Sequence, residues 1–336
     1  MARTDILLVA LGSTAGLRAA EAELAGGLRR GGASVEVVTA RAPREVRTLA
    51  LTDLAWARAA RRAAVEGLER WEPRAVVYST MGAALLWPAP GAIRYDAPAA
   101  ANRPGRHGVW QRPLERRRLR QATLLIPQTR GTLDETPSPH ADAVIVPIPV
   151  EPSVAQPPPF AQRDIAAITY AANPTKKGLD RVLAAWADAR RDGEELVVCG
   201  TGDVPGAEGV VTGGRLEPAA YRALLRRARV FVTAPRREDY GLAQLEALAD
   251  GCRLVTGAAP GPYAALAVAR ALDPRFVVDD VSPAALGAAV RAALDDSDGD
   301  GSYDSRARSA LAPFRREAVD AVVASELLPR LLASPR

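Results

Sequence analysis

Residues 236–251 read RREDYGLAQLEALADG and join an apolar run to an Ala/Leu-rich segment. The run before them, residues 229–234 (RVFVTA), is typical of a buried parallel strand, and the Ala/Leu-rich segment is typical of a helix. Gly241 lies where the chain must turn and where backbone N–H groups can face a ligand. Glu238 precedes this turn, and Glu246 follows within the helix. Because a helix N-terminus attracts phosphate and a carboxylate beside it can accept both hydrogen bonds of a ribose diol, the segment suits a nucleoside diphosphate that carries a sugar.

The composition narrows the class of protein. The chain has 336 residues, of which 48% are hydrophobic and 25% charged, as in an ordinary globular protein long enough for two domains. No apolar run approaches the roughly 20 residues that a membrane helix needs. The N-terminus enters a strand almost at once and lacks the apolar region of a signal peptide. We therefore expect a cytoplasmic protein with no integral membrane segment.

Cysteine and histidine are too few for the common metal sites. Cys199 and Cys252 match no metal-ligand spacing and are expected to be small buried residues, and the histidines are His107 and His140. We expect neither a metal nor a cofactor.

The positive charge is spread along the chain. The net charge is +5, yet of 44 Lys and Arg residues only Lys176 and Lys177 are lysines. We interpret the densest basic run, residues 112–120 (RPLERRRLR), as a solvated helix face and expect no nucleic-acid partner. Peripheral contact of this run with an anionic membrane stays open as the alternative.

Strand and helix patterns alternate along the first half. A strand at residues 5–11 leads through Gly12–Gly16 into a helix at residues 17–30 and a strand at residues 34–39. This order is typical of the start of a doubly wound α/β sheet. Further elements are predicted at residues 53–70 (helix) and at residues 75–78, 92–95, 123–126 and 143–146 (strands).

A proline-rich connector, residues 150–163, separates the halves, and the alternation then restarts. Two α/β halves joined in this way imply a cleft between them. Residues 295–305 (DDSDGDGSYDS) predict a flexible loop without the ligand spacing of a calcium site. Strands are predicted at residues 165–170, 195–199, 209–212, 230–234 and 253–256, and helices at residues 178–190, 218–227, 242–250, 283–293 and 313–332.

These segments resemble the GT-B glycosyltransferases, specifically the retaining Glu-x7-Glu group that includes glycosyltransferase family 4. Three segments carry the resemblance: residues 168–180 (ITYAANPTKKGLD), residues 198–202 (VCGTG) and the segment at 236–251. It covers residues 164–295, and the first half resembles the group more loosely through Gly12–Gly16.

The resemblance implies an α/β fold of two Rossmann-like doubly wound domains that face a central cleft. An acceptor-side domain would span residues 1–149, a linker residues 150–163, and a nucleotide-sugar-binding domain residues 164–312. The last helix, within residues 313–336, would pack back on the first domain.

The resemblance also implies a role for each matching residue. Glu246 would bind the ribose, Glu238 would hold hydroxyls of the donor sugar, and Lys177 would neutralise the departing diphosphate. The other donor-binding positions would be the N–H groups of Tyr240, Gly241 and Leu242, Gly16 of the first domain, and Arg215 and Leu216 of the loop that packs on the nucleobase.

The chain departs from this group at three places. Ala172 and Asn173 stand where the group has an arginine, so Asn173 is a donor-binding candidate, with Arg237 or Arg236 as the substituting cation. The histidine of the first domain is missing, and Asp96 is the candidate for its place. Residues 257–263 (GAAPGPY) lack the usual Gly-Gly-x-x-Glu pattern.

Each candidate has a plainer interpretation, which stays open at this point. These are a solvent-facing helix position for Glu246, a loop-surface position for Glu238 with Asp239 sharing its role, a helix-start cation for Lys177, a structural turn for Gly16, a strand-end cap for Asp96, and a surface position for His107.

The resemblance thus implies an enzyme that moves a sugar from a nucleoside-diphosphate donor to an acceptor hydroxyl, with retention and without a metal. The acceptor stays open among a saccharide, a lipid and a small metabolite. Three alternatives remain: a nucleotide-sugar epimerase, a donor-binding but inactive partner subunit, and a binder of nucleic acid or anionic surfaces through residues 112–120.

Overall fold

A computed structural model describes residues 1–43, 48–103, 105–137, 142–202, 204, 206–296 and 302–333. His140, named above, lies outside these residues. The chain divides into two compact units: unit 1 comprises Met1–Pro149 and Arg316–Arg336, and unit 2 comprises Val150–Arg315. Residues 150–163, predicted as a linker, belong to unit 2 in this division.

The described strands of unit 1 form one parallel sheet in the order β2-β1-β3-β4-β5. Their bounds are β1 (Ala2–Ala10), β2 (Val35–Thr39), β3 (Trp71–Tyr78), β4 (Ala92–Tyr95) and β5 (Leu125–Pro127). Successive side chains of a strand point to opposite faces, so Ile6 and Leu8 of β1 join one buried cluster while Leu7 and Val9 join another. A strand that is apolar throughout is therefore covered on both faces of the sheet.

Helices follow the strands of unit 1. They are α1 (Ala15–Arg30), α2 (Leu49–Arg70), α3 (Met81–Ala84), α4 (Ala99–Asn102), α5 (Gln111–Gln121) and α6 (Arg130–Asp134). Thr14 caps α1 because its side-chain oxygen accepts from the N–H of Leu17. The basic run at residues 112–120 lies in α5, as its pattern predicts.

Unit 2 contains a second parallel sheet, with the order β11-β10-β9-β6-β7-β8 among the described residues. Its strands are β6 (Ile165–Tyr170), β7 (Leu196–Cys199), β8 (Val210–Gly214), β9 (Ala228–Thr233), β10 (Arg253–Gly257) and β11 (Val277–Val278). Because all neighbours are parallel, the loops that follow β6, β7, β8, β9 and β10 gather at one edge of the sheet, where α/β proteins place their ligands.

Helices also follow the strands of unit 2. They are α7 (Pro174–Lys177), α8 (Leu179–Ala189), α9 (Pro218–Arg227), α10 (Leu242–Ala249), α11 (Ala264–Leu272), α12 (Pro283–Asp295) and α13 (Ser302–Ala310). Short 3-10 turns lie at Phe160–Gln162, Pro274–Phe276 and Ala312–Phe314.

The C-terminal segment returns to unit 1. It forms α14 (Arg316–Val322), a π-helical turn at Val323–Leu327 and α15 (Leu328–Ala333). Val319, Val323 and Leu327 are buried in the same cluster as Ile6 and Leu8 of β1. The segment thus completes the core on one face of the sheet of unit 1.

Several predicted elements differ from the structure. The strand predicted at residues 143–146 is a short segment that pairs partly with β5: Ala143 forms a bridge to Leu125, and the N–H groups of Val144 and Val146 donate to the carbonyls of Leu125 and Pro127 over 2.9 and 3.0 Å. The helix predicted at residues 178–190 is confirmed as α8, but a one-turn helix that was not predicted, α7, precedes it across Gly178, which has a left-handed backbone with φ +65°. The predicted flexible loop at residues 295–305 includes the start of α13.

One helix was not predicted, and the prediction for the final helix needs correction. Helix α11 was not predicted, because the proline- and glycine-rich residues before it are typical of a loop. The final helix, predicted as continuous over residues 313–332, begins at Arg316 and contains the π-helical turn. Within the described residues, no helix has both the length and the apolar character needed to cross a membrane.

Candidate functional site

Two ion pairs join α7 to the loop that follows β9. The Lys177 Nζ lies 2.5 Å from Glu238 Oε2, and the Lys176 Nζ lies 2.8 Å from Asp239 Oδ2. The backbone adds a third tie, because the N–H of Arg236 donates to the carbonyl of Lys176 over 3.0 Å. Residues that lie about sixty positions apart in sequence therefore form one surface at the edge of the sheet.

Gly178 allows α7 to approach β9 this closely. Its φ is +65°, and a Cβ atom on it would lie 1.9 Å from the carbonyl oxygen of Ala234. No other residue could keep this backbone and this contact. Asn173 caps the other end of α7, where its Oδ1 accepts from the N–H of Lys176 over 2.9 Å. The position of Lys177 is thus fixed by a cap on one side and a glycine on the other.

Glu238 is a buried carboxylate, with 5% of its surface exposed. Besides the Lys177 ammonium, its Oε2 accepts from the Gln244 Nε2 over 3.2 Å. The same Gln244 nitrogen lies 3.2 Å from the Tyr263 hydroxyl, which lies 2.8 Å from Thr256 Oγ1. Burial raises the pKa of the Tyr263 hydroxyl well above its usual value, so it stays protonated. A hydrogen-bonded chain therefore runs from Glu238 to the end of β10.

Gly241 forms the turn that opens α10. Its φ is +89°, and a Cβ atom on it would lie 2.6 Å from Cε2 of Tyr263 and 2.9 Å from Cβ of Ala265. The helix begins at Leu242, and the first N–H groups of a helix have no partner within it. Tyr240 is buried, with its ring edge against Phe314 at 6.4 Å between centroids. The tyrosine ring therefore anchors the turn, and its backbone is the part that can serve a ligand.

Glu246 lies one turn into α10 and keeps 27% of its side chain exposed. Its nearest cation is Arg222 of α9, at 3.7 Å between NH1 and Oε1. Burial raises the pKa of the Glu246 carboxyl, Arg222 opposes this shift and Asp250 adds to it. Arg222 itself is held at 2.5 Å by the fully buried Asp250. Glu246 therefore faces a cation whose main partner is another carboxylate.

Two tyrosines lie near Glu246, and Arg215 lies near one of them, Tyr170. The rings of Tyr170, at the end of β6, and Tyr221, on α9, have centroids 5.2 Å apart. Burial raises the pKa of the Tyr170 hydroxyl, Glu246 raises it further and Arg215 opposes it, which indicates that these groups are close. Leu216 next to Arg215 is 39% exposed. This end of unit 2 thus combines a flat aromatic group, an apolar side chain and a carboxylate.

Both arginines proposed as substituting cations already pair with carboxylates. The Arg237 Nε lies 2.8 Å from Asp239 Oδ1. Arg236 holds both oxygens of Asp180, at 2.9 and 2.7 Å. Asp239, which the sequence left as a rival to Glu238, therefore binds Lys176 and Arg237 together, while Glu238 binds Lys177.

Two candidate residues, Gly16 and Asp96, belong to unit 1. Gly16 is the second residue of α1, and no atom lies within 4 Å of a Cβ placed on it. Asp96 is exposed just after β4, where its Oδ1 accepts from the N–H of Ala97 over 2.9 Å. His107 is exposed in the 3-10 turn Gly105–Gly108.

Glu21 of α1 is a buried carboxylate that the sequence analysis missed. It accepts from the N–H of Leu11 over 2.7 Å, from that of Gly12 over 3.1 Å and from the Ser79 hydroxyl over 2.5 Å. These bonds fix the loop after β1. Nothing in the local pattern distinguishes Glu21 from an exposed helix residue, because its partners come from the residues that follow β1 and β3.

The described residues contain no group of three or more His, Cys, Asp or Glu side chains placed to hold a metal ion. Cys199 and Cys252 are buried and unpaired by a disulfide. Burial raises the pKa of the Cys199 thiol to about 11 and that of the Cys252 thiol to about 12. Both remain protonated thiols near neutral pH.

Comparison with protein-family models gives one match. The model described as "Glycosyl transferases group 1" matches residues 153–310, slightly less than half of the chain. The match includes α7, α10 and every unit 2 residue of the candidate site. It supports sugar transfer as the chemistry of this chain. No curated protein sequence matched the chain.

Solved structures match over nearly the whole chain. Sucrose-phosphate synthase (tll1590) from Thermosynechococcus elongatus has a TM-score of 0.75 at 14% identity, with 100% of both chains covered. WaaG, a glycosyltransferase involved in lipopolysaccharide biosynthesis, has a TM-score of 0.69 at 16% identity, with 97% of this chain and 100% of that chain covered. Alr3699/HepE from Anabaena, solved with UDP and glucose, has a TM-score of 0.70 at 12% identity, with 96% and 99% covered. Identities this low show the fold, which is the two-domain parallel-sheet α/β architecture called GT-B.

Proposed function

We propose that this chain transfers a sugar from a nucleoside-diphosphate donor to an acceptor hydroxyl, with retention of configuration at the anomeric carbon. One observation carries the proposal. The Lys177–Glu238 ion pair lies against the turn that opens α10, and Glu246 follows one turn later. The cation and the helix N-terminus suit the negative charge of a diphosphate. The two carboxylates suit the hydroxyl groups of a sugar and of a ribose.

Each part of the donor has a partner of suitable chemistry in unit 2. The N–H groups at Tyr240, Gly241 and Leu242 and the Lys177 ammonium face the diphosphate, since anions are stabilised at a helix N-terminus and by cations. The partly exposed Glu246 carboxylate accepts from the ribose diol. Its raised pKa means that acid weakens nucleotide binding at a higher pH than for an ordinary glutamate.

The nucleobase lies on the surface formed by Tyr170, Arg215 and Leu216. An aromatic ring and a guanidinium plane both stack on a base, and Leu216 offers an exposed apolar contact. Asn173 and Arg237 flank the diphosphate at the other side of α7. Glu238 holds hydroxyls of the donor sugar, and Asp96 and Gly16 of unit 1 complete the set of candidates.

The chemical step needs no protein nucleophile. The bond between the anomeric carbon and the diphosphate oxygen breaks with its electron pair, so the diphosphate gains negative charge. Lys177 and the N-terminus of α10 stabilise that charge, while Glu238 supports the positive charge at the anomeric carbon. The acceptor oxygen attacks from the face that the diphosphate leaves, and its proton passes to a diphosphate oxygen. The new glycosidic bond therefore has the configuration of the donor.

A thermal-shift panel with UDP, GDP, ADP and dTDP tests the donor site. A nucleotide present at about 100 times its dissociation constant adds about 2.7 kcal/mol of stability. The variant Glu246→Ala should lose this shift. Glu195→Ala is the matched control, because Glu195 is exposed and precedes β7, at the amino end of the strands. The donor site is disproved if no nucleotide raises the melting temperature, or if both variants behave alike.

Hydrolysis and transfer separate the enzyme from a donor-binding but inactive subunit. The nucleotide that shifts the melting temperature is supplied as its glucose, galactose and mannose conjugates, and release of the nucleoside diphosphate is followed with and without an acceptor mixture. Release that Lys177→Ala abolishes supports the enzyme. Binding without release supports the inactive subunit, for which Asp96 in place of a histidine and the missing Gly-Gly-x-x-Glu pattern are the motivating differences.

A further inference from the structure

Gln244 occupies the first turn of α10 with only 1% of its surface exposed. Its amide nitrogen has two partners, Glu238 Oε2 and the Tyr263 hydroxyl oxygen, each at 3.2 Å. Its amide oxygen is buried and has no hydrogen-bond partner among the residues that the structure describes. The side chain therefore makes all its polar contacts through one end.

The direction of these hydrogen bonds is fixed. Glu238 Oε2 only accepts, so the amide group must turn its nitrogen toward it. Thr256 Oγ1 donates to the carbonyl of Gly257 over 3.1 Å, so the Tyr263 hydroxyl donates to Thr256 over 2.8 Å. The Tyr263 oxygen is then left to accept from Gln244. One orientation of Gln244 satisfies every member of the chain except its own oxygen.

An unpaired buried amide oxygen lowers the stability of the folded protein. An apolar side chain of the same length would avoid that cost and would fill the same space. The cost of the unpaired oxygen offsets the gain from the hydrogen bonds that the nitrogen makes, so the net effect of the amide on stability is small. What the amide does supply is a second hydrogen bond to Glu238, on the oxygen that Lys177 also contacts.

We propose that Gln244 is a positioning residue that holds the Glu238 carboxylate in its productive orientation, an inference that rests on the proposed function. Lys177 and Gln244 both donate to Oε2, so the other oxygen of Glu238 is presented to the donor sugar. Tyr263 and Thr256 in turn hold Gln244 against the end of β10. The orientation of Glu238 is therefore set by two loops, those after β6 and β10, as well as by its own.

The test replaces Gln244 with methionine, which has similar length and no hydrogen-bonding amide. With the donor found in the panel above, we expect kcat to fall about 10- to 100-fold, since a misplaced catalytic group costs this much. The nucleotide-induced thermal shift should be unchanged, because the Gln244 amide nitrogen donates to Glu238 and Tyr263 and not to Glu246. The melting temperature without ligand should stay close to that of the parent, because the hydrogen bonds that are lost are offset by removal of the unpaired amide oxygen.

Tyr263→Phe is the matched variant. It keeps the ring that packs against Gly241 and removes only the hydroxyl group, whose oxygen accepts a hydrogen bond from Gln244. We expect a smaller fall in kcat than for Gln244→Met, with the same nucleotide-induced shift. A larger fall than for Gln244→Met would mean that the hydroxyl acts on Glu238 by a route other than the amide, which overturns the assignment to Gln244.

Two results for Gln244→Met overturn the proposal. Turnover equal to that of the parent shows that Glu238 needs no second hydrogen bond. A melting temperature well below that of the parent shows that the amide is there for stability. If the parent itself releases no nucleoside diphosphate, the proposed function fails and this inference falls with it, whereas turnover in the parent that Gln244→Met leaves unchanged overturns the inference alone.

Discussion

Lys177 and Glu238 lie 61 positions apart in sequence and 2.5 Å apart in space, from Nζ to Oε2. The lysine ends a one-turn helix after β6, and the glutamate lies in the loop after β9. Their side chains are 20% and 7% exposed, so the pair is shielded from water and from salt. Charges in such a setting act more strongly on a ligand than the same charges at the surface.

Replacing Lys177 with alanine should reduce turnover at least ~100-fold, because the departing diphosphate loses its nearest cation. It also leaves Glu238 buried with Gln244 as its remaining donor, which should lower the free energy of unfolding by about 1–3 kcal/mol. Turnover and urea unfolding measure the two effects.

Lys176→Ala is the control for this change. Lys176 is 44% exposed, and its partner Asp239 keeps a second cation in Arg237. We expect a small change in stability and a smaller fall in turnover. Equal losses in the two variants would contradict the distinct role assigned to Lys177.

Gly241→Ala should both destabilise unit 2 and weaken nucleotide binding. The new Cβ atom would lie 2.6 Å from the Tyr263 ring, and φ at +89° is a strained backbone for alanine. Gly16→Ala is the contrast, because no atom lies within 4 Å of the new Cβ and the residue is helical. We expect Gly16→Ala to raise stability by roughly 0.5–1 kcal/mol. Thermal unfolding with and without nucleotide compares the two, and a stable Gly241→Ala protein would refute the steric argument.

Stability should depend on pH through Glu115 of α5. This carboxyl is fully buried; burial raises its pKa to about 7, opposed by hydrogen bonds from the backbone of Ala99 and Ala100 and by the charge of Arg116. Between its ordinary pKa and 7 the folded state binds more protons than the unfolded state, so stability falls as the pH rises through this range. The full penalty above pH 7 is roughly 3 kcal/mol.

Glu115→Gln removes the ionisation. The free energy of unfolding of the variant, relative to that of the parent at the same pH, should therefore be higher at pH 8 than at pH 5. Urea unfolding of both proteins at the two pH values measures this difference. Parallel stability curves for parent and variant would contradict the raised pKa.

Asp250→Ala should be strongly destabilising. Asp250 is fully buried and binds Arg222, and its other oxygen accepts from the N–H and the hydroxyl of Ser153, both at 2.8 Å. Its removal leaves a mostly buried guanidinium without its main partner, at a cost of about 3–5 kcal/mol. Asp164→Ala is the control, since its pair with Arg227 is exposed on both sides and is worth ~0–1 kcal/mol. Urea unfolding measures both, and similar losses would contradict the importance of burial.

The strands and most helices follow directly from local patterns. The apolar runs of β1, β6 and β9 are buried strands, and the Ala/Leu-rich segment after Gly241 is α10. Where prediction fails, a longer-range effect is at work. The one-turn helix α7 was not predicted, because its close approach to Ala234 after β9 depends on Gly178, and residues 143–146 pair only partly because β5 offers a three-residue edge.

The candidate site likewise contains residues that local patterns could select and residues that only the fold brings together. Glu238, Gly241, Glu246 and Lys177 could be selected from spacing and resemblance, and the structure brings them together at one edge of the sheet in unit 2. Gln244 and Tyr263 could not be selected, because a glutamine in a helix and a tyrosine in a loop carry no signal until the fold pairs them. The same holds for Tyr221, whose ring meets Tyr170 from a different element.

The return of the C-terminal segment to unit 1 sets an order of events during synthesis. Val319, Val323, Leu327 and Leu331 fill the core beside β1 and α1, yet they leave the ribosome after all of unit 2. Unit 2 can therefore close its core while translation continues. Unit 1, although its strands emerge first, has part of one apolar sheet face uncovered until the final helical residues arrive. During this interval the exposed apolar surface makes the first half of the chain prone to aggregation.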